Sequence, residues 1–161
     1  MKISELFKLG VARSKGNEDY DNGNIPYVSS TTMNNGVVKL VEPYPDDKVF
    51  PGKSICISGL GFATLQLNEF LPKGNGGDSA TVLTPRHPMT MEELIYYTAT
   101  FNLLHNWRFS FGRKCGKERI RNLELISFSE YDGEFNQDFS EFMDIFSVKI
   151  NDFRTIINNL D

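Results

Sequence analysis

Apolar and polar residues alternate in short blocks over most of this chain and settle into helical periods at only a few places. Blocks of β-branched and aromatic residues predict strands at Ile25 to Ser29, Val37 to Glu42, Lys53 to Ser58, Phe62 to Leu67 and Ala80 to Leu83, each bounded by glycine, proline or polar turn residues. Ile55 and Ile57 share one face of the third block, as in a half-buried strand, and Asn35-Gly36 is a strong turn dipeptide between the first two. A further strand is expected near Leu123 to Phe128. The firmest internal helix opens with the capping box Thr90-Met91-Glu92-Glu93 and carries Leu94, Thr98, Phe101 and His105 on one face, to about Trp107. Near the N-terminus, Ser4 is placed to cap a short helix over Ile3, Leu6 and Phe7. Residues 9–13 show no decisive period, and residues 14–24 are polar enough to read as an exposed connection.

The most regular period comes last. Phe139, Met143, Phe146, Ile150, Phe153, Ile157 and Leu160 recur at alternating intervals of four and three, which is an a/d heptad seam. A stripe of that kind needs a cover. A second copy of the same helix supplies one, so a homodimer paired through a coiled coil is expected, with Phe142 and Ile156 widening the stripe enough to leave packing on the chain's own domain as the alternative. The fold class is therefore α+β, with a mixed-strand globular domain over residues 1–131 and a heptad-patterned helix over 138–161.

Composition narrows the function classes. A chain of 161 residues that is 40% hydrophobic can bury a core without staples. Cys56 and Cys115 have no CxxC spacing and no export signal accompanies them, so reduced thiols and a cytoplasmic protein are expected. No apolar run approaches the ~18 residues that a membrane span requires. The net charge of −4 disfavours a uniformly basic polyanion binder, but the charge is unevenly distributed. Arg108, Arg113, Lys114, Lys117, Arg119 and Arg121 face only Glu118 between residues 108 and 121, whereas residues 124–161 are strongly acidic. A basic band of this size can hold a phosphate backbone locally, and its bland alternative is a solvated loop.

Catalytic and cofactor motifs are absent or incomplete. Gly59-Leu60-Gly61 has Thr64 where a dinucleotide-binding turn has its third glycine. Asn24-Ile25-Pro26-Tyr27 looks like the Asn-Pro-Pro-Tyr motif of adenine amino-methyltransferases, but Ile25 replaces the first proline and no methyl-donor domain accompanies it. His87 and His105 belong to no ligand spacing, and Pro45-Asp46-Asp47-Lys48 lacks the separate second strand of a nuclease site. No enzyme activity, cofactor or metal is expected. What remains is a polar reading surface: Ser29, Ser30, Thr31, Thr32, Asn34 and Asn35 in one turn, with Arg108, Arg113, Lys114, Lys117 and Arg119 in another segment. Asparagine can pair with adenine and arginine with guanine, while hydroxyls and lysines hold phosphates, so the set suits double-stranded DNA.

The order of several segments adds a resemblance. Ile3-Ser4-Glu5-Leu6-Phe7, then Gly23-Asn24-Ile25-Pro26-Tyr27-Val28-Ser29-Ser30-Thr31, then Asn34-Asn35-Gly36-Val37 resembles the start of a target recognition domain from type I restriction-modification specificity subunits and related type IIB and IIG systems. Ser54-Ile55-Cys56-Ile57-Ser58 with its glycine turn is similar to the family's middle strand, and residues 116–125 resemble its closing segment. The resemblance implies a DNA target recognition domain over residues 1–131. It also implies a helix in the place of the family's spacer, and partners in a modification methyltransferase subunit and possibly a restriction subunit. A single unit of this kind resembles half a subunit. The acidic helix motivates a second reading, a non-catalytic decoy that binds a restriction-modification subunit.

Overall fold

The structure, a computed structural model, describes residues 1–75 and 79–130. Met1–Leu125 forms one compact unit, and Ile126 begins a second, of which residues 126–130 are described. The whole heptad seam, Phe139 to Leu160, lies outside the described residues, as do the dimer contact and the helix boundary read from it.

Two sheets make the first unit. Strands β1 (Phe7–Val11), β4 (Ser54–Ile57), β5 (Ala63–Gln66) and β7 (Thr81–Pro85) form an antiparallel sheet in the order β1-β7-β4-β5. Strands β2 (Asn22–Val28), β3 (Val37–Val41) and β6 (Leu71–Pro72) form a mixed sheet in the order β3-β2-β6, with β6 parallel to β2. Cys56 and Val82 of the first sheet join Val28, Phe50 and Phe70 in one apolar cluster, so the sheets face each other across it. Helix α2 (Met91–His105) lies against β5 and β4. This double cover explains a departure from the expected pattern. All four residues of β4 are buried, because it is an interior strand covered on both sides and not the half-buried strand its alternation suggested.

Local signals account for α2. Thr90 Oγ1 accepts from the Glu93 amide at 3.2 Å, and the Glu93 carboxylate accepts from the Thr90 amide at 2.7 Å, closing the capping box that the sequence predicts. Leu94, Tyr97, Phe101 and His105 then recur at helical spacing and are buried.

Other expectations need correction. Helix α1 (Ile3–Leu6) is capped at Lys2, not Ser4, with the Glu5 carboxylate accepting from the Lys2 amide at 2.8 Å. Residues 14–24 are not simply exposed: Tyr20 is buried against Tyr27, Val41 and Leu71, and Asn22 already opens β2. The connection buries an aromatic ring because its hydroxyl has partners, taking the Lys15 amide and donating to Asp47 Oδ1. Where a strand was expected near Leu123 to Phe128, only Glu124 pairs, in an isolated bridge with Lys2, while Phe128–Glu130 forms a 3₁₀ turn. The closing segment instead holds the N-terminus: Ile3 and Ser4 donate to the Leu123 and Arg121 carbonyls.

Candidate nucleic-acid interface

The hydroxyl-rich turn between β2 and β3 is tightly organised. Asn34, Asn35 and Gly36 have positive φ in succession (49°, 51° and 82°), a conformation that asparagine and glycine tolerate best. The Ser29 amide donates to the Gly36 carbonyl at 2.8 Å and closes the turn. Asn34 Nδ2 donates to the Val37 carbonyl, Asn35 Nδ2 donates to the Leu65 carbonyl of β5 at 2.7 Å, and Gln66 Nε2 returns a bond to the Asn35 carbonyl at 2.9 Å. The turn is thus bound to the edge of the first sheet. Thr32, Asn34 and Asn35 are exposed, and Ser29, Ser30 and Thr31 are partly covered. Thr32 and Asn35 line a cleft of about 440 Å³ with Phe62, Thr64, Ile95 and Asn102.

The basic segment follows α2 and runs along the end of the same sheet. Asn106 Nδ2 donates to the Gly61 carbonyl at 2.9 Å, and the Cys115 amide donates to the Gly59 carbonyl at 2.8 Å, so the β4–β5 turn is its anchor. Gly61 has φ +84°, and a Cβ there would lie 2.6 Å from Phe109, so this turn admits the segment only with glycine. Beyond Cys115, helix α3 (Lys117–Ile120) packs by β1, a short element that the basic composition had hidden. The cations differ in their surroundings. Arg108 stacks over Trp107 at 4.8 Å, Lys114 Nζ lies 4.5 Å from the Phe111 ring centroid, and Arg119 donates to the Lys114 carbonyl. Arg121 is paired with Glu118. Among the described residues, Arg113 and Lys117 have no side-chain hydrogen bond or ion pair.

The two groups therefore meet the same sheet at different places. Asn35 is tied to the Leu65–Gln66 end of β5, whereas the basic segment hangs from the Gly59–Gly61 turn that precedes that strand. The structure adds two features that composition did not single out. Trp107 and Phe111 are 72% and 79% exposed within the basic segment, and aromatic residues interleaved with cations are a signal that the sequence did contain. Arg13 and Lys48 line a cleft with Lys117, a convergence of distant segments with no sequence signal.

The two cysteines and His105 are built into the packing of the first unit. Burial pushes the Cys56 and Cys115 thiols up to about 12, so both hold their protons at neutral pH and neither is a nucleophile. His87 is exposed. His105 is buried, with Nε2 2.8 Å from the Glu124 carbonyl, which makes Nε2 the protonated nitrogen. Among the described residues no His, Cys, Asp or Glu cluster could hold a metal ion, and no helix is long and apolar enough to cross a membrane.

Residues 1–154 match the family described as type I restriction modification DNA specificity domain. No curated protein matches the sequence. Among solved structures, the type I restriction-modification S subunit from M. genitalium is 14% identical, with a TM-score of 0.57 over 97% of this chain and 42% of its own. A structure described for complex assembly and conformational transition of the type I R-M system gives 16% identity and a TM-score of 0.61, over 95% of this chain and 39% of that one. The HsdS subunit from Thermoanaerobacter tengcongensis gives 14% and 0.59, over 94% and 37%. The likeness is one of fold, and the chain spans about two-fifths of the length of these neighbours.

Proposed function

The chain belongs to the family of type I restriction-modification DNA specificity domains, and on that premise we propose that it is one target-recognition unit for duplex DNA. The observation that carries the reading is the placement of a cation-rich segment and an ordered amide and hydroxyl turn against one rigid sheet. Arg108, Arg113, Lys114, Lys117 and Arg119 hold phosphates and set the register, which is sequence-independent work. Ser29, Ser30, Thr31, Thr32, Asn34 and Asn35 present donors and acceptors to base edges, where sequence is read. No reaction belongs to this chain. Methyl transfer and cleavage fall to a modification methyltransferase subunit and a restriction subunit that it directs. The seam from Phe139 to Leu160 is the proposed homodimer contact, through which two copies address two half-sites.

Selection from randomised duplexes with the full chain and its methyltransferase partner tests the reading. An enriched sequence is the expected outcome, and its absence sinks target recognition. A methyltransferase complex that forms without any selection of DNA points instead to the decoy, a reading that the acidic balance of residues 124–161 favours.

A further inference from the structure

A cleft of about 400 Å³ opens beside β1, the edge strand farthest from the polar turn's anchor, and is lined by Gly10, Val11 and the charged side chains of Arg13, Asp46, Lys48 and Lys117. Its three cations come from separate segments: the exit of β1, the connection between β3 and β4, and the start of α3. Among the described residues, none of the three has a side-chain hydrogen bond or an ion pair, and Lys48 Nζ only overlies the Phe50 ring at 4.7 Å. The one carboxylate in the cleft, Asp46, is paired with none of them. Three cations against one anion leave the cleft positive, a preformed demand for an external anion.

The cleft is held in shape by contacts that leave its charges available. Asp47, next to Asp46, takes the Tyr20 hydroxyl on Oδ1 at 3.0 Å and the Tyr44 amide on Oδ2 at 2.8 Å, which braces the connection bearing Lys48. Phe50 packs so closely on β1 that a Cβ on Gly10 would lie 2.5 Å from its ring, so the ring beneath Lys48 is seated by a bare glycine.

Strand register relates this cleft to the polar turn. Gly10 pairs with Val82, Val82 with Cys56 and Cys56 with Thr64, and Thr64 lines the cleft that contains Thr32 and Asn35. The two clefts occupy opposite edges of one transverse row, three strand spacings or about 14 Å apart. At 3.4 Å per step that is about four base pairs of duplex. Lys117 belongs both to the cleft and to the basic segment along this end of the sheet, making the charge continuous from one to the other.

We propose that this cleft is a phosphodiester-binding site in which Arg13, Lys48 and Lys117 hold the DNA backbone a few base pairs from the bases read by the polar turn, with Asp46 limiting the affinity. The identity of the polyanion rests on the DNA-recognition reading, while the site itself rests on the geometry.

The test uses the full chain and two probes, a labelled duplex and linear inorganic polyphosphate, titrated across a series of salt concentrations. Arg13→Gln and Lys48→Gln should each weaken duplex binding roughly fivefold, equally for all sequences, and lower the salt slope by about one. Asp46→Asn should strengthen binding several-fold, a change that misfolding cannot produce. Polyphosphate should follow the same order of variants. If the duplex binds but these variants leave affinity and slope unchanged, the cleft is not a phosphate site, and the recognition reading stands without it. If polyphosphate alone binds and obeys the series, the site stands and DNA recognition fails. Binding of neither probe overturns the site.

Discussion

The polar turn and the basic segment are both surface connections, yet they are built in opposite ways. Between Ser29 and Gly36 the turn is fastened at its asparagines: the two side-chain amides donate to backbone carbonyls, and Gln66 reaches back to the Asn35 carbonyl. Between Arg108 and Arg119 the chain is suspended from Gly59 and Gly61, and several of its cations stand over exposed rings or alone. The contrast separates two physical tasks. Hydrogen-bond readout needs donors held within narrow limits, because a misdirected amide loses its bond, whereas phosphate attraction tolerates motion. In the proposed function, a turn fastened to the sheet edge and a cationic strap hung from the β4–β5 turn divide reading from holding.

The largest disruption follows when the strap loses its anchor. Gly61→Val forces a β-branched residue to φ +84° and drives its side chain into Phe109. The expected cost is about 3 kcal/mol in denaturant unfolding, with duplex affinity falling for every sequence alike. An unchanged unfolding midpoint would show that the β4–β5 turn does not position the segment.

Asn35→Ala acts on the polar turn instead. It removes the bond to the Leu65 carbonyl and places alanine at φ 51°, for an expected loss of about 2 kcal/mol. Here the salt slope should persist while the selected sequence shifts or blurs. A lowered slope with the same selected sequence would reverse the roles assigned to the two regions.

These two substitutions also mark what could be read from the chain alone. Asn35-Gly36 and Thr90-x-x-Glu93 were legible because turns and caps are local chemistry, complete within four residues. Strand β1 escaped because five residues containing a glycine on a sheet edge show no clean alternation, and β6 because two residues carry no period at all. The basic band was legible as composition, but its anchorage on Gly61 and its extension to Arg13 and Lys48 were not. Both depend on strand pairings that bring distant positions together, as when Val11 meets Thr81 and Ile57 meets Thr81. The hydrophobic pattern likewise predicted β4 without revealing that both its faces would be covered.

A smaller effect concerns the strap's buried root. Cys115 lies 1% exposed between the two halves of the basic segment, and burial raises its thiol to about 12 against an ordinary value near 9, with Arg119 opposing. The folded chain keeps this proton where the unfolded chain has begun to release it. Stability from this group is therefore present up to about pH 9 and is lost as pH rises through 12, with a loss of about 1 kcal/mol by pH 10. Cys56 has the same sign. Alkaline unfolding curves of the parent chain and Cys115→Ala should converge as pH rises from 9 to 11, and parallel curves would show that the thiol is not shielded. At pH 8, neither thiol should react with iodoacetamide until the chain unfolds.

The smallest effect on stability is the most telling about the strap. Arg113 is exposed at the tip of the basic segment, where the Ser110 and Arg113 backbones bond to each other and its guanidinium has no side-chain partner among the described residues. Arg113→Ala should leave unfolding within about 0.5 kcal/mol of the parent, because no packed or paired group is removed. Duplex affinity should nevertheless fall several-fold, uniformly across sequences, and the salt slope should decline by about one. The two measurements together are decisive. A stability loss would make Arg113 part of the fold, and a change in selected bases would make it a reader. Only loss of affinity without either leaves the basic segment as the holding half of the interface and the Ser29–Gly36 turn as the reading half.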